Sequence, residues 1–81
     1  MSNVSNAWST FGARLKAELS ARNMSQTRYA QAMGMSYDTL NCYVNSRRIP
    51  SYRTLLTMVE YLPGVDIVWL VTGIAEQEDA Q

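Results

Sequence analysis

The segment from Ser25 to Asn45 constrains the fold of this chain more than any other part of the sequence. Its polar and apolar spacing is typical of two short helices joined by a tight turn. Ala30 is small where the second helix must pass close to the first, and Leu40 supplies an apolar anchor on the second helix. Gly34 can adopt the left-handed conformation that a tight turn requires. The chain is therefore expected to contain a compact two-helix unit here.

The length and composition allow one small domain with a modest core. The chain has 81 residues, of which 47% are hydrophobic, so its composition does not predict disorder. No apolar run approaches the ~20 residues of a membrane-spanning helix. The N-terminal segment lacks the charged and apolar blocks of a signal peptide. We therefore expect no contact with membranes.

The scarcity of cysteine and histidine limits the chemistry that the chain can perform. Cys42 is the single cysteine and cannot form an internal disulfide, and the chain has no histidine. This usage is typical of the reducing cytoplasm. Metal-ligand clusters and Ser/His or Cys/His catalysis lack the residues that they need. We expect a cytoplasmic protein with no metal, no cofactor and no enzymatic activity.

The charges are unevenly distributed although the net charge is zero. Glu76, Glu78 and Asp79 lie close to the C-terminus, so the rest of the chain has a positive balance. Four basic residues flank the second helix of the two-helix unit: Arg28, Arg47, Arg48 and Arg53. A local basic face, typical of nucleic-acid-binding proteins, is one interpretation of this cluster, and ordinary surface charge is the other.

Hydrophobic periodicity predicts five short helices and no strand. Helix 1 is expected from residue 9 or 10 to residue 22, because Phe11, Leu15 and Leu19 form one apolar stripe. Asn23 is its predicted end. Residues 1–9 are polar and are expected to form a flexible arm. Residues 10–73 then form the domain, and the acidic residues 74–81 form a flexible tail or the start of a linker.

Capping residues divide the remaining sequence into four further helices. The predicted N-caps are Ser25, Ser36, Ser51 and Asp66. The predicted inner face of helix 2 consists of Tyr29, Ala30 and Met33, and that of helix 3 of Leu40, Tyr43 and Val44. Helix 4 is expected over residues 52–61, with Leu55, Leu56, Val59 and Leu62 buried, and the Pro63-Gly64 pair ends it. Helix 5 is expected over residues 67–71, with Trp69 and Leu70 as anchors and Gly73 at its end.

With these elements in place, residues 11–73 resemble the lambdoid phage repressor and Cro-like helix-turn-helix family, often called the Xre type. The matching residues are Ser25-Gln26, Ala30, Gly34, Ser36, Leu40, the loop Arg47-Arg48-Ile49-Pro50-Ser51, Leu55-Leu56, and Trp69-Leu70-Val71-Thr72-Gly73. The resemblance implies an all-α, five-helix, phage-repressor-like DNA-binding domain with the helix-turn-helix at helices 2 and 3. Two features depart from the family pattern. Pro63 is an extra residue before helix 5, and the outward face of helix 3 carries unusual residue types.

The resemblance implies that helix 3 presents its outward face to DNA bases in the major groove. The candidate base contacts are Tyr37, Asp38, Asn41 and Cys42. Asn41 can make a two-point contact with adenine, and Asp38 can accept from the N4 amino group of cytosine. Tyr37 can pack on a thymine methyl group or reach a phosphate. Two alternatives stay open: Asp38 as a charge that stabilises the helix N-terminus, and Cys42 as a small packing residue.

The resemblance also implies contacts with DNA phosphates and a dimer interface. The candidate phosphate contacts are Gln26, Ser36, Thr39, Arg47, Arg48 and Arg53, and the alternative for Arg47 and Arg48 is a solvated loop. The candidate dimer contacts are Leu62, Val65, Ile67 and Trp69, and the alternative for Trp69 is burial within one chain. A homodimer would place its two recognition helices about 34 Å apart on a palindromic operator.

The resulting hypothesis is that the chain is a sequence-specific transcriptional regulator of phage or prophage origin. It would bind double-stranded DNA as a dimer and act as a repressor. No small-molecule ligand is expected. One alternative is an antitoxin of the same fold whose main partner is a toxin. Another is the N-terminal domain of a longer repressor, followed by a linker near Ile74.

Overall fold

The computed structural model describes residues 8–74, which form a bundle of five α-helices without a strand in that range. The helices are α1 (Phe11–Ala21), α2 (Gln26–Met33), α3 (Tyr37–Val44), α4 (Tyr52–Glu60) and α5 (Ile67–Thr72). The all-α, five-helix prediction is confirmed. No helix in this range is long and apolar enough to cross a membrane.

The four predicted N-caps are confirmed by hydrogen bonds. The side chains of Ser25, Ser36 and Ser51 each accept the backbone N–H three residues later at 3.1 Å. Asp66 accepts the N–H of Trp69 at 3.0 Å. Each bond satisfies one of the N–H groups that a helix leaves unpaired at its start, and such a cap stabilises a helix by about 1 kcal/mol. Asn23, the predicted end of helix 1, adopts φ 53° directly after the α1 C-cap.

The core lies where the helices converge. Its buried residues are Phe11, Leu15, Leu19, Tyr29, Ala30, Leu40, Tyr43, Val44, Met58, Leu62 and Leu70. The predicted stripes of helices 1 and 3 are confirmed, and Met33 and Trp69 are partly buried against this core. Trp8 also packs on it, with its ring centroid 5.1 Å from that of Phe11. Trp8 and Ser9, which were expected to belong to the arm, are thus part of the described structure, whereas residues 1–7 of the arm and residues 75–81 of the expected tail lie outside the described range.

The predicted inner face of helix 4 was wrong at one position. Leu56 is 50% exposed, whereas Met58, which the sequence analysis left out, is fully buried. Leu55, Met58, Val59 and Leu62 follow the i, i+3, i+4, i+7 spacing of a single helix face. Leu56 is one residue, or about 100°, away from that face. The helix 5 boundary also shifts, since α5 extends to Thr72.

A buried tyrosine ties α2 to α4. The Tyr29 side chain has no exposed surface, and its hydroxyl donates to the Met58 carbonyl at 2.7 Å. This bond satisfies the one polar atom that the ring carries into the core. Burial raises the pKa of Tyr29 far above its ordinary value, so the neutral phenol is the form that the fold requires.

Gly12 permits the closest approach between helices. A Cβ atom at this position would lie 1.8 Å from the carbonyl oxygen of Val44. The Gly12 N–H donates to the Ser46 hydroxyl at 3.3 Å, just beyond the end of α3. The first turn of α1 therefore lies directly against the C-terminal end of α3, and this contact helps to fix the orientation of α3.

Candidate nucleic-acid interface

The turn between α2 and α3 is fixed by backbone geometry. Gly34 has φ 71°, and no atom lies within 4 Å of the position that a Cβ would occupy. A glycine is thus favoured here by its backbone conformation, with no need for extra space. Hydrogen bonds from Gly34 N–H to Gln31 and from Met35 N–H to Ala30 close the end of α2. Ala30 and Leu40 are buried on either side of the turn, as the sequence predicted.

This scaffold turns one face of α3 outward. Tyr37 is 47% exposed and Asp38 is exposed in the first turn, while Asn41 and Cys42 are half-buried one turn later. By helical position, Asp38 and Cys42 lie opposite the buried face of α3, whereas Tyr37 and Asn41 lie closer to its edge. Tyr37 and Asp38 are the most accessible. Asp38 also has the location from which a carboxylate stabilises a helix N-terminus.

Two predicted phosphate contacts, Ser36 and Thr39, form a hydrogen-bonded pair at the start of α3. The Ser36 hydroxyl accepts the Thr39 N–H and donates to Thr39 Oγ1 at 2.9 Å. Because the Ser36 proton is already used, the Thr39 hydroxyl proton is the one left for an outside acceptor. Arg53 lines the same open groove of about 490 Å³ between the turn and α4. The structure thus brings three predicted phosphate contacts together.

Gln26 lies in the first turn of α2 with a polar atom that lacks a partner. Its Nε2 is buried and has no hydrogen-bond acceptor among residues 8–74. Leaving a buried donor unpaired costs about 1–3 kcal/mol. An acceptor arriving at this helix N-terminus, such as a phosphate oxygen, would remove that cost and would meet the positive end of the helix dipole.

Four exposed arginines form what we term the basic rim: Arg28, Arg47, Arg48 and Arg53. Arg47 and Arg48 lie in the loop after α3, and the Arg48 guanidinium lies 5.6 Å from the centroid of the Tyr43 ring. This cation–π contact holds one charge of the rim near α3. Arg28 lies on α2 and Arg53 lies on α4. The basic rim therefore includes residues from helices before and after α3.

The sequence analysis missed the structural role of two other arginines. Arg14 donates to the carbonyls of Leu70 and Val71 at the end of α5. Arg22 donates to the Pro63 carbonyl at 2.6 Å and forms an ion pair with Glu18 at 2.5 Å. The carbonyls of Leu70, Val71 and Pro63 lie far along the chain from these arginines, so no local sequence signal marks these contacts. Arg14 and Arg22 are half-buried, so the exposed arginines among residues 8–74 are the four of the basic rim.

The four residues predicted to form the dimer interface differ in how much of their side chain is exposed. Leu62 is 1% exposed and belongs to the core, so its side chain has no surface for a second chain. Val65 and Trp69 are half-buried and pack against the core. Ile67 is 51% exposed, and Val68, which was not predicted, is 38% exposed. The accessible apolar surface of this region therefore centres on the start of α5.

Comparison with known proteins assigns the family. The helix-turn-helix family model matches residues 15–70, from the middle of α1 into α5. The chain belongs to the Xre/Cro-like helix-turn-helix family. The match contains both helices of the motif and the intervening turn at Gly34.

One curated relative is the HTH-type transcriptional regulator PrtR of Pseudomonas aeruginosa, which is 39% identical over 64 residues. The aligned part is 79% of this chain and 24% of PrtR, so the chain spans about a quarter of the length of that relative. No solved structure matches the chain significantly.

Proposed function

We propose that this helix-turn-helix chain binds double-stranded DNA in a sequence-specific manner and regulates transcription. The observation that carries the proposal is the outward face of α3 with the basic rim beside it. A helix with exposed polar residues can enter the major groove, and flanking arginines can contact the phosphates on either side. The similarity to PrtR, a transcriptional regulator, supports the same class of function.

Base contacts in this proposal come from the N-terminal half of α3. Tyr37 and Asp38 meet the bases first, because they are exposed in the first turn. Asn41 makes the two-point contact with adenine, and Cys42 contacts a thymine methyl group. A good two-point contact discriminates against a wrong base by about 1–3 kcal/mol.

Phosphate contacts anchor the helix in the groove. Thr39 and Arg53 contact phosphate from the groove that they share with Ser36, and Gln26 does so from the start of α2. Arg47 and Arg48 contact the backbone from the loop after α3. These contacts supply affinity for any sequence and make it dependent on salt.

The chain acts in this proposal as a homodimer and a repressor of phage or prophage origin. The start of α5 supplies the interface through Ile67, Val65 and Trp69. A two-fold dimer then binds a palindromic operator, and occupancy of the operator blocks a promoter.

A salt titration of DNA binding tests the proposal. The probe is a random-sequence duplex, titrated at several salt concentrations with the unmodified chain, with Arg48→Ala and with Lys16→Ala. Lys16 is exposed on α1, outside the basic rim, and is the matched control. We expect Arg48→Ala to reduce the slope of log K against log salt by about 1, as one lost phosphate contact does. Lys16→Ala is expected to leave the slope unchanged. Binding that is insensitive to salt in the unmodified chain would contradict the proposal.

A further inference from the structure

Arg14 joins the first turn of α1 to the last turn of α5. Its Nε donates to the Leu70 carbonyl at 2.8 Å, and its Nη2 donates to the Val71 carbonyl at 3.2 Å. The last four carbonyls of a helix have no partner within the helix, and α5 has only six residues. A cation at a helix C-terminus is also favoured by the helix dipole. Arg14 therefore satisfies two carbonyls at the end of a six-residue helix and places a positive charge there.

The same turn of α1 also contacts the recognition helix. Gly12, two residues before Arg14, lies against the Val44 carbonyl at the end of α3. Thr10 accepts from Arg14 Nη1 at 2.6 Å, which fixes the plane of the guanidinium. One turn of α1 thus holds the C-terminal ends of both α3 and α5, and the relative placement of these two helices depends on it.

We propose that Arg14 is a positioning residue that sets the distance between the two recognition helices of the dimer. This inference rests on the proposed homodimer, in which α5 contributes Ile67 and Trp69 to the interface. This role requires no contact between Arg14 and either DNA or the second chain. Arg14 acts by holding α5 in a fixed orientation relative to α3, and a two-fold axis doubles any error in that orientation at the second half-site.

The test separates dimer geometry from the intrinsic binding of one domain. Two probes are used: the palindromic duplex enriched from a random pool, and the same duplex with one half-site scrambled. Arg14→Met removes the donors and retains an apolar stem, while Arg14→Lys retains the charge. Thr10→Val removes only the hydroxyl that orients the guanidinium. Lys16→Met is the matched control, because Lys16 is exposed on the same helix.

The expected result is a loss of affinity for the palindrome without a matching loss for the single half-site. Arg14→Met binds the single half-site with an affinity close to that of the unmodified chain, because the residues proposed to contact DNA are unchanged. On the palindrome its affinity falls by about tenfold or more, because loss of the two hydrogen bonds to α5 lets α5 shift relative to α3, so the second half-site is misaligned. Arg14→Lys recovers part of this loss, Thr10→Val shows a smaller loss of the same kind, and Lys16→Met shows none.

Other outcomes overturn the inference in distinguishable ways. Equal losses on both probes would make Arg14 a residue of general stability, while DNA binding and the dimer would stand. If Arg14→Met fails to fold by circular dichroism, an unchanged ratio of palindrome to half-site affinity in Arg14→Lys and Thr10→Val contradicts the proposal. If the unmodified chain binds both probes equally well, the dimer itself fails, and the positioning role fails with it.

Discussion

At the scale of single residues, Gly12 marks the place where two helices leave no room for a side chain. Its missing Cβ would overlap the Val44 carbonyl, and its N–H is held by the Ser46 hydroxyl. Ser46 itself has φ 59°, an uncommon conformation for a residue with a side chain. The loop after α3 is therefore shaped by its contact with α1.

Substitution of Gly12 tests this contact. We expect Gly12→Ala to destabilise the fold by about 3 kcal/mol or more, because overpacking against backbone forces a helix to shift. Ala13→Ser in the same turn is the control, since Ala13 is exposed and such changes alter stability by about 0.5 kcal/mol at most. Urea denaturation gives both values. Equal stability of the two variants would show that the helices do not approach this closely.

The contrast between Gly34 and Gly12 shows what the sequence could predict at this scale. Gly34, Ser36 and Asp66 act on residues within a few positions along the chain, so their roles were predicted correctly. Gly12 and Arg14 act on groups more than 30 residues away. Their roles depend on how the helices pack, which no local pattern records.

At the scale of elements, the rotation of α4 about its axis separates two apolar faces. Met58 faces the core and Leu56 faces outward, one residue away from the i, i+3, i+4 pattern that includes Leu55 and Val59. Leu56 was predicted to be buried together with Leu55 and Val59, and Met58 was not. The helix period itself places Met58 inside.

A matched pair of truncations measures this rotation. Met58→Ala is expected to cost about 2–5 kcal/mol of unfolding free energy, because it leaves a cavity in the core. Leu56→Ala is expected to cost about 0.5 kcal/mol or less, as at other exposed positions. Thermal or urea unfolding of the two variants measures both losses of unfolding free energy. A larger loss for Leu56→Ala would mean that α4 is turned the other way.

In α3, the residues that stabilise the helix and the residues proposed to contact DNA could be predicted to different extents. Its buried face and its N-cap were predicted from apolar spacing and from Ser36. Of its four candidate base contacts, Tyr37 and Asp38 are exposed, and Asn41 and Cys42 are half-buried. Which base each one contacts depends on the DNA that the helix meets, so these roles belong to the proposal.

At the scale of the whole molecule, the arrangement of charge matters more than the net charge of zero. Arg14 and Arg22 bind backbone carbonyls and hold the fold together. The four arginines of the basic rim remain exposed on α2, on α4 and in the loop after α3. A chain with no excess charge thus presents a cationic surface where the proposal places DNA.

Selection of bound duplexes from a random DNA pool tests the central claim most directly. The account predicts an enriched palindrome whose half-sites are centred about 34 Å apart, one turn of DNA. Repeating the selection with Asn41→Ala is expected to relax one position in each half-site, with a loss of about 1–3 kcal/mol on the original sequence. A pool that shows no enriched sequence after selection with the unmodified chain would contradict sequence-specific DNA binding.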